Sequence, residues 1–250
     1  MLKNMLLLEF SSLGRPFLRV TVPAGRKPIS FVIELTQQQL ENGCITDIEP
    51  IAARIEKECP QKFPICLALS CEGIFRNRFL LPKMSATRAK ILYRRERSAD
   101  KHVKDYYVWE ESFSYSGGHV FDRYYLPRSV VAPFVELATR LGVNLAAVEP
   151  AGLDVLRDLN FSGYFAYFYI RRNVCTLLLC DNGHLITTYD FAFETVDDIR
   201  RTFLLVAAKY ELELDKKPII QYGVTTDIPF RLDMQLQQLS EEMLSVSKKE

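Results

Sequence analysis

YFAYFYIRRNVCTLLLCDNGHLITTYDF (residues 164–191) reads as three consecutive β-strands. Residues 164–169, 174–180 and 184–191 are aromatic or aliphatic runs separated by short polar breaks. Asn182-Gly183 is a strong hairpin signal, because both residue types tolerate the positive φ that a two-residue type I′ turn demands. A helix capped near Thr195 follows, with Ile199, Phe203, Val206, Ala207 and Tyr210 on one stripe. Residues 218–222 then read as a strand, Leu232, Leu236, Leu239 and Met243 mark a closing helix, and SVSKKE reads as a frayed tail.

The chain opens with the same order. Strand-like runs at 6–10, 17–22 and 30–35 precede a helix with Asp47 as its cap, Pro50 in its first turn, and Ile48, Ile51, Ala52, Ile55 and Cys59 at helical spacing. Pro60 and Pro64 stop it, and ICLALS (65–70) reads as a buried strand, with a further strand at 74–81. Residues 83–125 differ in character. A basic helix at about 87–98 leads to two aromatic strands, 106–114 and 119–125, around Gly117-Gly118, which reads as an inserted subdomain. Next come a helix with Val130, Phe134, Leu137, Ala138 and Leu141 on one face and Gly142 just past its end, a short strand at 145–148, and a helix to about Leu159. The expectation is an α/β fold made of two copies of one unit. The first half spans 1–160 with an insertion at about 83–126, and the second half, 161–250, is shortened. A single irregular α/β domain with the same order by coincidence is the competing reading.

Composition narrows the function classes. With 250 residues, 48% apolar and 25% charged, the chain is long enough for a sizeable core, and a net charge of +1 gives no global attraction to nucleic acid. The six cysteines form no CxxC pair and the three histidines are far apart, so no zinc site or other metal site is expected. Cys66, Cys71, Cys175 and Cys180 lie in or beside apolar runs and read as small core residues, and reduced thiols fit a cytoplasmic address. The apolar run in MLKNMLLLEF is too short for a signal-peptide core or a bilayer span, so membrane contact is expected only through a partner.

Three passages carry a family resemblance. ENGCITDIEPIAARI (41–55) has a glycine, aliphatic, x, aspartate step before a helix; RNRFLLPKMS (76–85) ends a strand in Leu-Pro-x-Met-Ser; PRSVVAPFVELATRLGVNLAAVEPAGLDVLRDL (127–159) runs helix, glycine, strand, helix. In these the chain resembles the PilM-type cytoplasmic proteins of type IV pilus assembly and the cytoplasmic domain of L-type type II secretion proteins. The resemblance covers nearly the whole length. It implies a duplicated ribonuclease-H-like, actin-like ATPase fold with an inserted small subdomain. It also implies a groove beside that subdomain that receives a short peptide of an inner-membrane partner. The chain ends soon after QYGVTTDIPF (221–230), where the family's second adenosine-contacting glycine segment would sit; Gly223 remains there, preceded by Tyr222.

Actin-like ATPases hold phosphate with two hairpins, each carrying an Asp-x-Gly step whose glycine admits close backbone approach and whose carboxylate handles magnesium. By that resemblance the first hairpin here is LLLEFSSLGRPF (6–17), with Glu9 at the aspartate position and Ser11 at the glycine position; Ser11 and Ser12 retain donors. The second places Tyr169 at the aspartate and Arg171 at the glycine. Two arginines could meet a phosphate by charge, but Arg171 and Arg172 read more simply as solvated hairpin residues. Adjacent carboxylates Asp197-Asp198 and Glu110-Glu111 show no convergence, and Asp197 and Asp198 suit the first turn of a helix. No catalytic residue, cofactor or metal is expected.

Between Lys83 and Lys104 lie eight Lys/Arg and two acids, and Lys90, Arg94, Arg97 and Lys101 fall at helical spacing. A solvated face, a docking surface for an acidic segment or anionic headgroups, and a nucleic-acid contact all remain open. The aromatics of 106–125 read mostly as core, with exposed members as interface anchors. The leading expectation is a non-catalytic scaffold that binds the cytoplasmic tail of an inner-membrane assembly protein and helps recruit an assembly motor ATPase. The alternatives are a nucleotide-responsive switch or weak ATPase, and, remotely, a nucleic-acid binder.

Overall fold

The structure is a computed structural model and describes residues 4–23, 28–101, 104–115, 117–153, 164–181, 184–209 and 219–224. The chain divides into two compact units, one of residues 1–12 and 16–151, the other of 13–15 and 152–250.

In the first unit β1 (Leu6–Ser11), β2 (Phe17–Val22) and β3 (Ile29–Glu34) form the antiparallel meander that their alternation predicts. A small ribbon, β4 (Leu40–Glu41) and β5 (Cys44–Ile45), leads to α1 (Glu49–Glu58). Asp47 accepts the Glu49 N–H at 3.0 Å from one position ahead of the cap residue, Ile48. β6 (Ile65–Ser70) is buried at every residue and pairs parallel with β1. Its other edge pairs parallel with β10 (Leu145–Pro150), reached through α3 (Arg128–Leu141). The strand order is β10-β6-β1-β2-β3. Leu8, Phe10, Leu18, Val20, Leu67 and Leu69 cluster with Ile51 and Ile55 of α1 and Phe134 and Leu137 of α3. Gly142 ends α3 at φ 68°, and the Val143 N–H returns to the Ala138 carbonyl at 2.9 Å, a closure that needs a left-handed residue.

Between β6 and α3 sits a separate sheet of β7 (Phe75–Pro82), β8 (Tyr106–Tyr115) and β9 (Gly118–Pro127), ordered β7-β9-β8, with α2 (Ala86–Ser98) between β7 and β8 in sequence. This sheet begins at Phe75, upstream of the position 83 at which the insertion is expected, because β7 pairs along its whole length with β9. Asp122 of β9 is fully buried and takes paired hydrogen bonds from Arg76, at 3.1 Å, and from Arg78, at 2.8 Å.

In the second unit β11 (Tyr164–Arg171), β12 (Val174–Asp181) and β13 (His184–Ala192) repeat the meander, and β14 (Ile219–Val224) pairs parallel with β11 beyond α4 (Val196–Lys209). The order β13-β12-β11-β14 is that of β3-β2-β1-β6, so both units are built third, second, first, fourth. Ala166, Phe168, Ile170, Leu177 and Leu179 pack on Ile199, Phe203 and Val206 of α4, the stripe read from the sequence. At its start the Asp198 carboxylate accepts the Thr195 N–H at 2.9 Å, which holds its pKa below the usual carboxylate value. The expected helix to Leu159, the Asn182-Gly183 turn, the closing helix and the tail lie outside the described residues.

Asp122→Ala leaves two partly buried guanidinium groups without their carboxylate, and is expected to lower the unfolding free energy by about 3 kcal/mol. Glu58→Ala, which removes only the exposed pair with Arg54, is expected to cost less than about 1 kcal/mol. Urea unfolding of both variants measures the difference.

Candidate functional site

The two hairpins opposite the helical layers place the residues singled out by their positions. Alternation puts Leu8 and Phe10 into the core and Glu9 on the other sheet face, where it is 2% exposed. Across the strands Glu9 stands opposite Arg19 on one side and Ala68 on the other, and Ala68 in turn stands opposite Glu149. Arg19 Nε lies 3.7 Å from the Glu9 carboxylate, and the Cys66 thiol lies 3.7 Å from that of Glu149. Ser11 is fully buried, and the Ser12 N–H donates to the Ser70 carbonyl at 3.1 Å. The carboxylate of the first hairpin therefore faces an arginine on its own sheet.

The second hairpin corrects one expectation. Arg171 is not solvated: it is 1% exposed. Strand alternation puts Ala166, Phe168 and Ile170 into the core and Tyr167, Tyr169 and Arg171 on the opposite face, where Tyr167 and Arg171 are buried and Tyr169 is half-buried. There the Arg171 guanidinium lies 5.0 Å from the centre of the Tyr169 ring and donates through Nη2 to the Thr176 hydroxyl, which donates to Asp190. Its Nε and Nη1 are buried with no hydrogen-bond partner among the described residues. Arg172 is half-buried, at φ 54°. Tyr169 pairs with Thr176 and with Gly223, so Asp190, Thr176, Tyr169 and Gly223 form one row across the sheet.

The inserted sheet creates a different feature. Among the described residues β8 and β10 are both edge strands, each bonded on one side only. Together with α3 they line a groove of ≈ 530 Å³ whose walls include Tyr107, Trp109, Val131, Val135, Leu145 and Val148. Tyr107 and Val135 are 36% and 41% exposed. The Arg128 guanidinium sits 4.3 Å from the Tyr107 ring centre and places a cation beside this apolar surface. A groove with apolar pockets between two unpaired strand edges can take an extended peptide through main-chain hydrogen bonds and alternate side chains. The sequence, by its family resemblance, implies a groove beside the inserted subdomain and offers the aromatics of 106–125 as core or interface anchors, but assigns no residue to the groove wall. The available signal was a second apolar stripe, Val131 and Val135, beside the first, together with a strand, LAAV, that does not alternate.

The basic helix is anchored from below. Tyr93 stacks on Phe121 at 4.3 Å, donates to Glu110 at 2.9 Å and accepts from Arg123 Nε at 2.8 Å; burial is the main cause that pushes its phenol up to about 12. Lys90, Arg94, Arg97 and Lys101 are all exposed. Arg97 pairs with Glu110 at 3.4 Å, whereas Lys90, Arg94 and Lys101 have no carboxylate partner among the described residues. Among the described residues no cluster of three His, Cys, Asp or Glu can hold a metal ion, and no helix is long and apolar enough to cross a membrane.

No family model matches the sequence, and no curated protein matches it. Solved structures do match. The chain is similar to a chain of the PilM–PilN type IV pilus biogenesis complex, at 15% identity over 98% of this chain and 87% of that one, with a TM-score of 0.59. It is similar to the cytoplasmic domain of EpsL, an inner-membrane component of the type II secretion system of Vibrio cholerae, at 14% identity over 95% and 94%, with a TM-score of 0.51. A Bacteroides thetaiotaomicron protein with an actin-like ATPase fold aligns at 10% identity over 97% and 90%, with a TM-score of 0.49. At these identities the likeness is one of fold, and the chain has the α/β fold of the actin-like ATPases.

A buried guanidinium with two unpartnered nitrogens contributes little to stability. Arg171→Met is therefore expected to change the unfolding free energy by less than about 1 kcal/mol, whereas Asp190→Ala, which strips the counter-charge, costs about 2–3 kcal/mol. Denaturant titration of the two variants checks the order.

Proposed function

We propose that this chain is a non-catalytic actin-like adaptor of a type IV pilus or type II secretion-like assembly, docking on a short cytoplasmic segment of an inner-membrane protein. The groove between β8, α3 and β10 carries the proposal, because it combines exposed apolar residues with two strand edges that are unpaired among the described residues, in a scaffold of the same fold as a PilM–PilN chain. The hairpins support the non-catalytic part. Glu9 faces Arg19, and at the second position a tyrosine stands where a metal-holding carboxylate is needed. The adaptor acts in the cytoplasm, peripheral to the inner membrane, and presents its remaining surface to other components such as an assembly motor.

Trp109 is the only tryptophan of the chain and lines the groove, so its fluorescence reports occupancy directly. Titration with synthetic peptides covering the cytoplasmic tails of pilus and type II secretion inner-membrane proteins is expected to shift that emission saturably for one of them. Val135→Glu places a charge on an already exposed groove wall and is expected to weaken the same binding at least tenfold, with stability changed by less than about 0.5 kcal/mol. Equal affinity in the variant would remove the groove from the proposal. Saturable binding of magnesium ATP in calorimetry would replace the adaptor with the nucleotide switch.

A further inference from the structure

The groove leaves the outer face of α2 unexplained. Residues 83–104 hold eight Lys/Arg and two acids, while the other 228 residues hold 24 Lys/Arg against 29 acids. A net charge of +1 thus conceals +6 on one short segment and −5 on the rest. Neighbouring groups do not neutralise it. Asp100 is turned inward, where it binds Arg123 at 3.1 Å and accepts from Tyr125, and Glu110 is engaged by Tyr93, Arg123 and Arg97. Arg88, Arg94 and Arg95 are exposed and have no carboxylate partner among the described residues.

The helix is oriented by Ala89 and Tyr93, which are buried against Phe121. At about 100° per residue, the position diametrically opposite that pair is Ile91. Ile91 is 49% exposed, and Arg88, Arg94 and Arg95 stand three or four residues away, on either side of it. Lys90 and Arg97 fall on the flank of the helix, Arg97 against Glu110.

We propose that α2 contacts an anionic lipid surface directly, with Ile91 entering the interfacial layer and Arg88, Arg94 and Arg95 lying on the headgroups. The geometry selects this occupant. The face is a single convex helix whose pole is apolar and whose surround is cationic, which matches a flat anionic layer with hydrocarbon beneath it. An extended acidic peptide needs a groove wall or a strand edge, and this face has neither. A nucleic acid would meet an isoleucine where stacking rings or base-edge donors belong. Each basic residue near an anionic leaflet raises partitioning about fivefold, so the three arginines together contribute on the order of a hundredfold. The contact is independent of the groove and adds to it: a second weak tether to the same membrane multiplies with a docked tail.

Sedimentation of the full chain with phosphatidylcholine vesicles, with and without phosphatidylglycerol, tests the contact without any protein partner. Binding is expected only with phosphatidylglycerol, falling with added salt, and about a hundredfold weaker in R88Q/R94Q/R95Q. Ile91→Trp is expected to raise binding several-fold, a gain that a misfolded variant would not give. Absence of wild-type binding to phosphatidylglycerol vesicles, equal binding to neutral vesicles, or no change in either variant would overturn the proposal. So would salt-sensitive binding to duplex DNA or polyglutamate without vesicle binding, which would hand the helix to that partner.

Discussion

The parallel ladders on both sides of β6 constrain everything else in the first unit. All six of its residues are buried, and it bonds to β1 on one edge and β10 on the other. Parallel neighbours cannot be joined by hairpins, so the chain must cross over the sheet twice, and α1 and α3 are those crossovers. Their apolar faces close the core over Leu8, Phe10, Leu67 and Leu69. Among the described residues β10 is the last strand of this sheet, and its outer edge is unbonded. The connection from β6 to α3 is where the inserted sheet enters, so its own edge strand, β8, comes to line the same groove as β10.

Polar pairing, in contrast, orders the insertion. A three-stranded sheet with one short helix has little apolar area to specify a single arrangement. Asp122 binds β7 to β9 through Arg76 and Arg78, and Tyr93, Arg123, Asp100 and Tyr125 join α2 to the sheet. Asp100 and Asp122 lie inward, whereas Arg88, Arg94 and Arg95 of α2 lie outward. The inward turn of Asp100 thus helps the outer helix surface keep its positive charge.

The elements were legible wherever burial followed a simple period. ICLALS, the α1 stripe and the α4 stripe of Ile199, Phe203 and Val206 all occupy the positions that their spacing dictates. The duplication was legible as element order, and the two sheets repeat the same strand order. Arg171 was read as solvated because arginine is seldom buried. Its burial goes with a threonine-to-aspartate relay across strands, which leaves no local pattern. The residues that line the groove were not legible for a related reason. Tyr107 and Val135 are apolar residues on elements that are otherwise core, and only the meeting of two sheet edges distinguishes them from core residues.

On the adaptor reading, the two surfaces of the first unit differ in physical kind, and this matters for how they act together. Strand-edge pairing and apolar burial in the groove are short-ranged and scarcely screened by salt, so they discriminate among sequences. The charge on α2 is felt over about a Debye length, roughly 8 Å at physiological ionic strength, and is indifferent to sequence. A body held near an anionic leaflet by the second kind of force meets membrane-anchored tails at a raised local concentration. Modest affinity in the groove then suffices, and selectivity stays with Trp109, Val135 and their neighbours, where a wrong side chain leaves an edge N–H or an apolar wall without its match.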